Sequence, residues 1–96
     1  MVRVRVGRSL DEATRSLFSD QVSAVLGRRA VVIDLRDVRF VDRSGLRALY
    51  NAVRRLHDFR TRVWLRCSPG PVFTYLRRVG MEWVAPMVVA PGAPSR

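Results

Sequence analysis

Residues 42–45 (Asp-Arg-Ser-Gly) are the segment of the sequence with the clearest potential for chemistry. They stand between the apolar pair Phe40-Val41, which is expected to enter the core, and an apolar repeat at helical spacing: Leu46, Leu49, Val53 and Leu56. The repeat predicts a helix over residues 44–57. Aspartate or serine at a helix start can accept hydrogen bonds from the free amides of the first turn. A phosphorylated hydroxyl is also tolerated there, because the helix start carries a partial positive charge.

Strands are predicted on both sides of this segment. Residues 30–35 are a nearly continuous β-branched run, which is typical of a strand covered on both faces in a parallel or mixed sheet. Residues 2–6 alternate valine and arginine, the pattern of a half-buried strand with its arginines in solvent. Residues 62–67 and 87–89 complete the set of predicted strands.

Two further helices are predicted, over residues 12–26 and from Pro71 to Val79. Ser9 or Asp11 can cap the first of these helices, and Gly27 can end it. Strands and helices then alternate along the chain. This alternation implies a layered α/β architecture.

The length of 96 residues suits one domain, which we place at residues 1–90, followed by a flexible tail at residues 91–96. No apolar run approaches the ~20 residues of a membrane span, so no insertion into a membrane is expected. The amino terminus lacks the apolar centre of a signal peptide. The single cysteine, Cys67, cannot form an internal disulfide, so a reducing cytoplasm is the expected location.

The formal net charge is +10, and all 18 basic residues are arginine. Such a charge favours nucleic acid, an anionic membrane surface or another acidic partner. The arginines are scattered along the chain, and an arginine bias also arises from the coding preference of a GC-rich genome. Binding to nucleic acid or to an anionic surface is therefore an alternative and not the leading expectation.

The remaining residues with reactive or aromatic side chains lack the partners that catalysis needs. His57 stands alone at a helix end, and Asp34 has no second carboxylate at a useful spacing. Cys67 is typical of a small packing residue, while Trp64 and Trp83 suit the core or its rim. The sequence shows no glycine-rich phosphate loop, metal-ligand spacing or nucleophile–base pair. We therefore expect no catalytic residue, no metal, no cofactor and no enzymatic activity.

Several segments, taken in order, resemble motifs of the STAS family, the fold shared by anti-sigma-factor antagonists and the cytoplasmic domains of sulfate transporters. The similar segments span about residues 2–90 and are residues 7–14 (GRSLDEAT), 31–35 (VVIDL) and 40–46 (FVDRSGL), Ser68-Pro69 and residues 76–81. The resemblance implies an α/β, STAS-like fold, with a small mixed β-sheet of about four strands packed with about three to four α-helices.

The chain departs from the family pattern in two places. Family members usually begin with a β-hairpin, whereas one strand precedes Gly7 here. The unpaired edge of that strand would be free to pair with a partner or a second copy. In the phosphorylated antagonists the acceptor is the serine directly after the signature aspartate, and Arg43 occupies that position. Ser44 is then either a displaced phosphoacceptor or a second cap or exposed hydroxyl.

The other signature residues also allow two interpretations each. Asp42 caps the helix, or it orients a hydroxyl or contacts a kinase. Gly45 permits close approach of backbone or partner, or is a plain first-turn glycine. Arg43 is an exposed arginine of an arginine-rich chain, or it marks constitutive binding or the binding of a different, acidic surface, because it cannot accept phosphate and has the opposite charge to phosphoserine. Arg47, one turn further on, would extend the same basic patch.

The resemblance implies a bacterial signalling protein that regulates transcription through protein–protein interaction, as anti-sigma-factor antagonists do. The partner-binding residues it implies are Asp42, Arg43, Ser44, Gly45, Leu46 and Arg47. The partner it implies is an anti-sigma factor of the histidine-kinase-like ATPase type. Because Arg43 replaces the acceptor, we expect the usual serine phosphorylation switch to be absent. Within the family, a STAS subunit of a lipid-transport or stress-signalling assembly is the alternative.

Overall fold

The computed structural model describes residues 1–89. Strands and helices alternate there in the order β1 (Val2–Arg5), β2 (Ser9–Leu10), α1 (Arg15–Ser23), β3 (Ala30–Asp34), β4 (Phe40–Val41), α2 (Arg43–Asp58), β5 (Arg62–Cys67), α3 (Pro71–Arg78) and β6 (Met87–Val89). A 3-10 turn, Met81–Trp83, lies between α3 and β6. The tail predicted at residues 91–96 lies outside the described residues.

The main sheet has the strand order β1-β3-β5-β6, and every neighbouring pair is parallel. The α/β class, the four-stranded sheet and the three helices confirm the predicted fold. The expected mixed pairing is corrected, since all pairs of this sheet within residues 1–89 are parallel. The reason is that a helix follows each strand and returns the chain to the same end before the next strand of the sheet begins.

A second, two-stranded sheet pairs β2 with β4 in parallel, with Leu10 opposite Val41. Ser9, which was predicted as a helix cap, is instead part of β2, and its carbonyl accepts a hydrogen bond from the Thr14 hydroxyl. The prediction that Phe40 enters the core is wrong, because its side chain is 54% exposed. Successive strand side chains point to opposite faces, and Val41 is the one that packs against the core.

Helix α1 is shorter than the predicted residues 12–26, because turns flank it at both ends. The Asp11 carboxylate accepts hydrogen bonds from the amides of Ala13 and Thr14, at 3.0 and 3.1 Å, and so stabilises the preceding turn. Gly27 adopts φ +82° after the helix and donates its amide to the hydroxyl of Thr61. Asp11 and Gly27 therefore act near the ends of α1, as predicted, but each belongs to a turn outside it.

The core lies between one face of the main sheet and the helices. Alternate strand residues form its sheet side, and they are Val4, Val31, Ile33, Val63, Leu65 and Cys67. All three helices contribute to the same cluster, through Phe18, Val22, Leu49, Val53, Leu56 and Leu76. These helix residues include three of the four residues of the predicted apolar repeat of α2, and the fourth, Leu46, is partly buried against them. The repeat explains why α2 lies with its polar residues outward.

The opposite face of the main sheet is rich in arginine. Arg3 and Arg5 are exposed on β1, whereas Val32 and Trp64 are half-buried neighbours on β3 and β5. Helices cover one face of β3, and the expectation that both faces are covered holds only in part for the face that carries Val32. That face is shielded by long side chains of neighbouring strands, which cover apolar surface with their stems and leave their charged ends in water.

Asp34 ends β3 as a buried ion-pair acceptor, with a side chain that is 2% exposed. Arg36 contacts it at 2.8 Å and also donates from its backbone amide, while Arg3 lies 3.8 Å away. The hydrogen bonds from Arg36 lower the pKa of Asp34 and outweigh the opposing effect of burial. Asp34 therefore anchors the loop that leads to β4.

Candidate functional site

The start of α2 is held by Asp42, which is the N-cap residue. Its backbone is extended (φ −99°, ψ −174°), and its Oδ1 accepts a 2.7 Å hydrogen bond from the amide of Gly45. The other carboxylate oxygen accepts a longer bond, at 3.4 Å, from the amide of Glu12. The cap interpretation of Asp42 is confirmed, and the same carboxylate also joins the start of α2 to the turn before α1.

Gly45 is glycine because the backbone of β2 passes directly over it. A Cβ atom placed on Gly45 would lie 1.7 Å from the carbonyl oxygen of Leu10 and 2.4 Å from its carbonyl carbon. Both of these atoms belong to the backbone, so neither can move aside as a flexible side chain would. Of the two interpretations of Gly45, the structure supports close approach of backbone, and burial keeps this residue from a partner.

Ser44 is half-buried, and its hydroxyl donates a 2.6 Å hydrogen bond to Oε1 of Glu12. The other oxygen of the same carboxylate accepts from Arg15, at 3.3 Å. A phosphate on Ser44 would replace this donor by a dianion beside a carboxylate, which is unfavourable. The hydroxyl is thus engaged in a local contact, as expected if Ser44 is not a phosphoacceptor.

Arg43 and Leu46 lie on the flank of α2 that faces α3, and Arg47 borders both this flank and the one that faces α1. Together with Tyr50 they form one wall of an open groove of about 390 Å³ between α2 and the end of α3. The opposite wall consists of residues that follow α3 or end it, namely Val79, Gly80, Met81 and Val84. Arg43 and Arg47 are exposed, so the groove has an apolar floor and a cationic margin.

Part of this groove could have been found in the sequence. Tyr50 follows Arg43, Leu46 and Arg47 at helical spacing, so the four side chains share one stripe of α2. The opposite wall has no such signal in the sequence. Only the way in which the 3-10 turn folds back beside α2 brings Met81 and Val84 to the site.

The other flank of α2 forms a polar cleft with α1. Its volume is about 330 Å³, and the side chains that line it are mostly basic or hydroxyl-bearing: Arg15, Ser16, Ser19, Ser44, Arg47, Ala48, Asn51, Ala52 and Arg55. Arg55 crosses the cleft and donates to the hydroxyls of Ser19, at 3.3 Å, and Ser23, at 2.7 Å. Arg55 lies off the apolar repeat of α2, but nothing in the sequence indicates that α1 lies opposite it.

The isolated reactive and aromatic side chains of the sequence lie apart from the first turn of α2. Cys67 is buried in the core, and burial, followed by the charge of Asp34, raises the pKa of its thiol to about 11. His57 is exposed near the end of α2, and Trp64 is half-buried beside Arg62. Trp83 is 87% exposed, so the expectation of a core or rim position is wrong for this residue.

Among residues 1–89, no group of three or more His, Cys, Asp or Glu residues is placed to hold a metal ion. In the same residues, no helix has the length and apolar character needed to cross a bilayer.

A family profile described as "Mlab, STAS domain" matches residues 1–89. The chain belongs to the STAS family. The match covers both helix starts and the groove residues described above, and it confirms the resemblance seen in the sequence motifs. No curated protein sequence matches this STAS chain.

Three solved structures share the fold. A murine anion transporter, Slc26a9 in its inward-facing state, aligns with a TM-score of 0.77 and 18% identity over 93% of this chain and 16% of its own. A putative anti-sigma factor antagonist from Thermotoga maritima gives a TM-score of 0.73 and 17% identity over 93% and 80% of the two chains. The anti-sigma factor antagonist SpoIIAA, unphosphorylated, gives 0.65 and 17% over 95% and 79%.

These neighbours establish the fold and not a partner, because their identities to the chain are below 20%. The STAS chain spans 16% of the length of the murine transporter. It spans 80% and 79% of the two antagonist chains.

Proposed function

We propose that this STAS protein is a regulatory protein–protein interaction module of the anti-sigma-factor antagonist type. The observation that carries the proposal is the open groove beside the capped start of α2, with Arg43 and Arg47 on its margin. Membership of the STAS family supports it, as do two structural neighbours described as anti-sigma factor antagonists.

The chemistry of the groove suits docking. Leu46, Val79 and Val84 offer apolar contact, and Tyr50 and the arginines are residue types that often dominate interface energies. The cap at Asp42 and the backbone contact at Gly45 hold this surface in place, so little conformational freedom is lost on binding. No nucleophile–base pair accompanies the groove residues, and we propose that the protein is not an enzyme.

The partner we propose is an anti-sigma factor of the histidine-kinase-like ATPase type, which presents acidic residues to Arg43 and Arg47. Opposite charges at an interface margin accelerate association and fix orientation. The same residues argue against a phosphorylation switch. Arg43 cannot accept phosphate, and the Ser44 hydroxyl is bonded to Glu12 at 2.6 Å. Binding would then be controlled by the amounts of the proteins and not by a modification at this turn.

Isothermal titration with the histidine-kinase-like anti-sigma factors of the native cell tests this proposal. We expect the double variant Arg43→Glu/Arg47→Glu to bind at least about tenfold more weakly, because it reverses both marginal charges. Arg28→Glu/Arg29→Glu is the matched control, since it makes the same charge change at exposed positions beyond α1. An equal loss in both variants, or no binding of the unaltered protein to any such factor, would contradict the proposal.

A second candidate is a STAS subunit of a lipid-transport or stress-signalling assembly. The observation that favours it is that the fold also aligns with part of an anion transporter. Affinity purification from the native cell separates the two candidates. If subunits of a transport assembly are recovered, and if the Arg43→Glu/Arg47→Glu variant no longer recovers them, the second candidate would replace the anti-sigma-factor proposal.

Three further expectations stay predictions. Nucleic-acid binding driven by the +10 charge would give a gel shift that weakens steeply with salt, and we expect none. β1 ends the main sheet in the order β1-β3-β5-β6, so a second copy could pair with it, and sedimentation velocity measures this association. A cytoplasmic location is tested by fractionating the native cell.

A further inference from the structure

Helices α1 and α2 lie side by side and run in the same direction. The contact of Ser44 with Glu12 and that of Arg55 with Ser23 both join residues that are 32 apart in the sequence. Because the sequence separation of the contacting residues is the same at both ends of the helix pair, the two segments must run in the same direction. The polar cleft between them is therefore lined along its length by side chains from both helices.

The charge in this cleft is unbalanced. Arg55 is half-buried, and its two hydrogen bonds go to the hydroxyls of Ser19 and Ser23, which are neutral. Within the described residues, no carboxylate forms an ion pair with Arg55 or Arg47. Arg15 pairs with Glu12 at 3.3 Å, so the cleft holds three guanidinium groups against one carboxylate.

The donors of the cleft match a tetrahedral oxyanion. A guanidinium has five N–H groups in a planar fork, so Arg55 keeps donors free after its two bonds to serine. Arg47 lies on the same wall, and Asn51 adds an amide donor. Arginine is the side chain best suited to phosphate, because its fork can donate to two oxygens at once.

We propose that the α1–α2 cleft binds a phosphate group, with Arg55 as the principal ligand and Arg15, Arg47 and Asn51 around it. Its volume of about 330 Å³ is near the lower end of the ~300–1,000 Å³ range of ligand pockets, which suits a small phosphate monoester as well as the free ion. The Glu12 carboxylate lies at the Ser44 end, so the anion is placed at the Arg55 end, away from it. This site lies on the opposite flank of α2 from the docking groove, and Arg47 borders both.

The test is a titration of the full chain, followed by ¹H–¹⁵N NMR, with inorganic phosphate and with phenyl phosphate at constant ionic strength set by chloride. We expect saturable shifts for both ligands that centre on Ser19, Asn51 and Arg55. Tighter binding of phenyl phosphate would identify an ester as the preferred form, and equal binding would identify the free ion. Both results support a phosphate site.

Neighbouring arginines provide the matched pair of variants. Arg55→Gln should weaken phosphate binding about tenfold or more, because it removes charge-assisted hydrogen bonds. Arg54→Gln removes the same charge one residue away, where the side chain lies over Tyr50 outside the cleft, and should weaken binding less than about twofold. If Arg55→Gln is poorly folded, Asn51→Ala replaces it, with a smaller expected loss. Shifts that do not saturate, or equal weakening by the two arginine variants, would overturn the proposal.

Discussion

The hydroxyl of Ser44 donates a 2.6 Å hydrogen bond to the carboxylate of Glu12. Glu12 precedes α1, and Ser44 lies in the first turn of α2, so this contact links the starts of two helices that run in parallel. The serine nearest to the family's phosphoacceptor position is thereby engaged by an acidic group of its own chain. This relationship, together with Arg43, underlies the proposal that the module docks without a phosphorylation switch.

The absence of that switch is directly testable. Incubated with a histidine-kinase-like anti-sigma factor and ATP, the unaltered protein should keep its intact mass. Arg43→Ser restores a hydroxyl at the family's acceptor position and should gain one phosphate, about 80 Da, at residue 43. Arg28→Ser, which places a serine at an exposed position beyond α1, is the control and should gain none. A phosphate mapped to Ser44 in the unaltered protein would refute the interpretation of its bond to Glu12.

Gly45→Ala should destabilise the fold by about 3 kcal/mol or more, because its Cβ would meet the Leu10 carbonyl oxygen at 1.7 Å. Urea unfolding followed by far-UV circular dichroism measures the effect. Gly7→Ala is the matched control, since a Cβ there has nothing within 4 Å, and it should change stability by less than about 0.5 kcal/mol. Equal stabilities for the two variants would show that β2 does not lie over the start of α2 as described.

Asp34 should contribute to the fall in the free energy of unfolding at acid pH. Its folded pKa is lowered below the ordinary 3.8, chiefly by hydrogen bonds from Arg36, so the ionised carboxylate stabilises the fold above that value. The contribution is lost as the pH falls from 3.8 through the folded pKa. Asp34→Asn should therefore lower stability at neutral pH, by about 1–3 kcal/mol, and weaken the loss of stability at acid pH.

The control for this variant is Asp37→Asn, which removes a carboxylate of an exposed pair with Arg5. Exposed pairs contribute little, so its unfolding curve should match that of the unaltered protein from about pH 7 to about pH 3. A weaker loss of stability at acid pH in Asp37→Asn but not in Asp34→Asn would contradict this prediction, because it would show that Asp37 is the carboxylate responsible.

Cys67 should be unreactive in the folded protein. Its pKa is raised to about 11, mainly by burial, so its thiolate fraction at about pH 8 is roughly 100-fold below that of an ordinary thiol, before access is considered. A thiol-reactive disulfide dye should label the native protein slowly and the denatured protein at once. Rapid labelling of the native protein would contradict the burial of this residue.

Much of the local structure follows from the order of residues. The valines and arginines of β1 alternate because the strand has one buried face, and the apolar repeat of α2 has the period of a helix with one buried stripe. Asp42 was predicted as a cap because an extended residue with a short acceptor satisfies a first-turn amide. Such features depend on neighbours within a few positions, and the sequence displays those neighbours.

What the sequence could not decide depends on segments that meet from far apart. The need for glycine at residue 45 comes from Leu10, the hydroxyl of Ser44 is bonded to Glu12, and the groove wall facing Arg43 is supplied by Met81. The exposure of Phe40 has the same origin, since pairing of β4 with β2 selects which side chain turns inward. Local patterns in the sequence were enough to predict the fold class and the start of α2. The surfaces that flank this start depend on tertiary packing, because packing sets which distant side chains lie on the same surface.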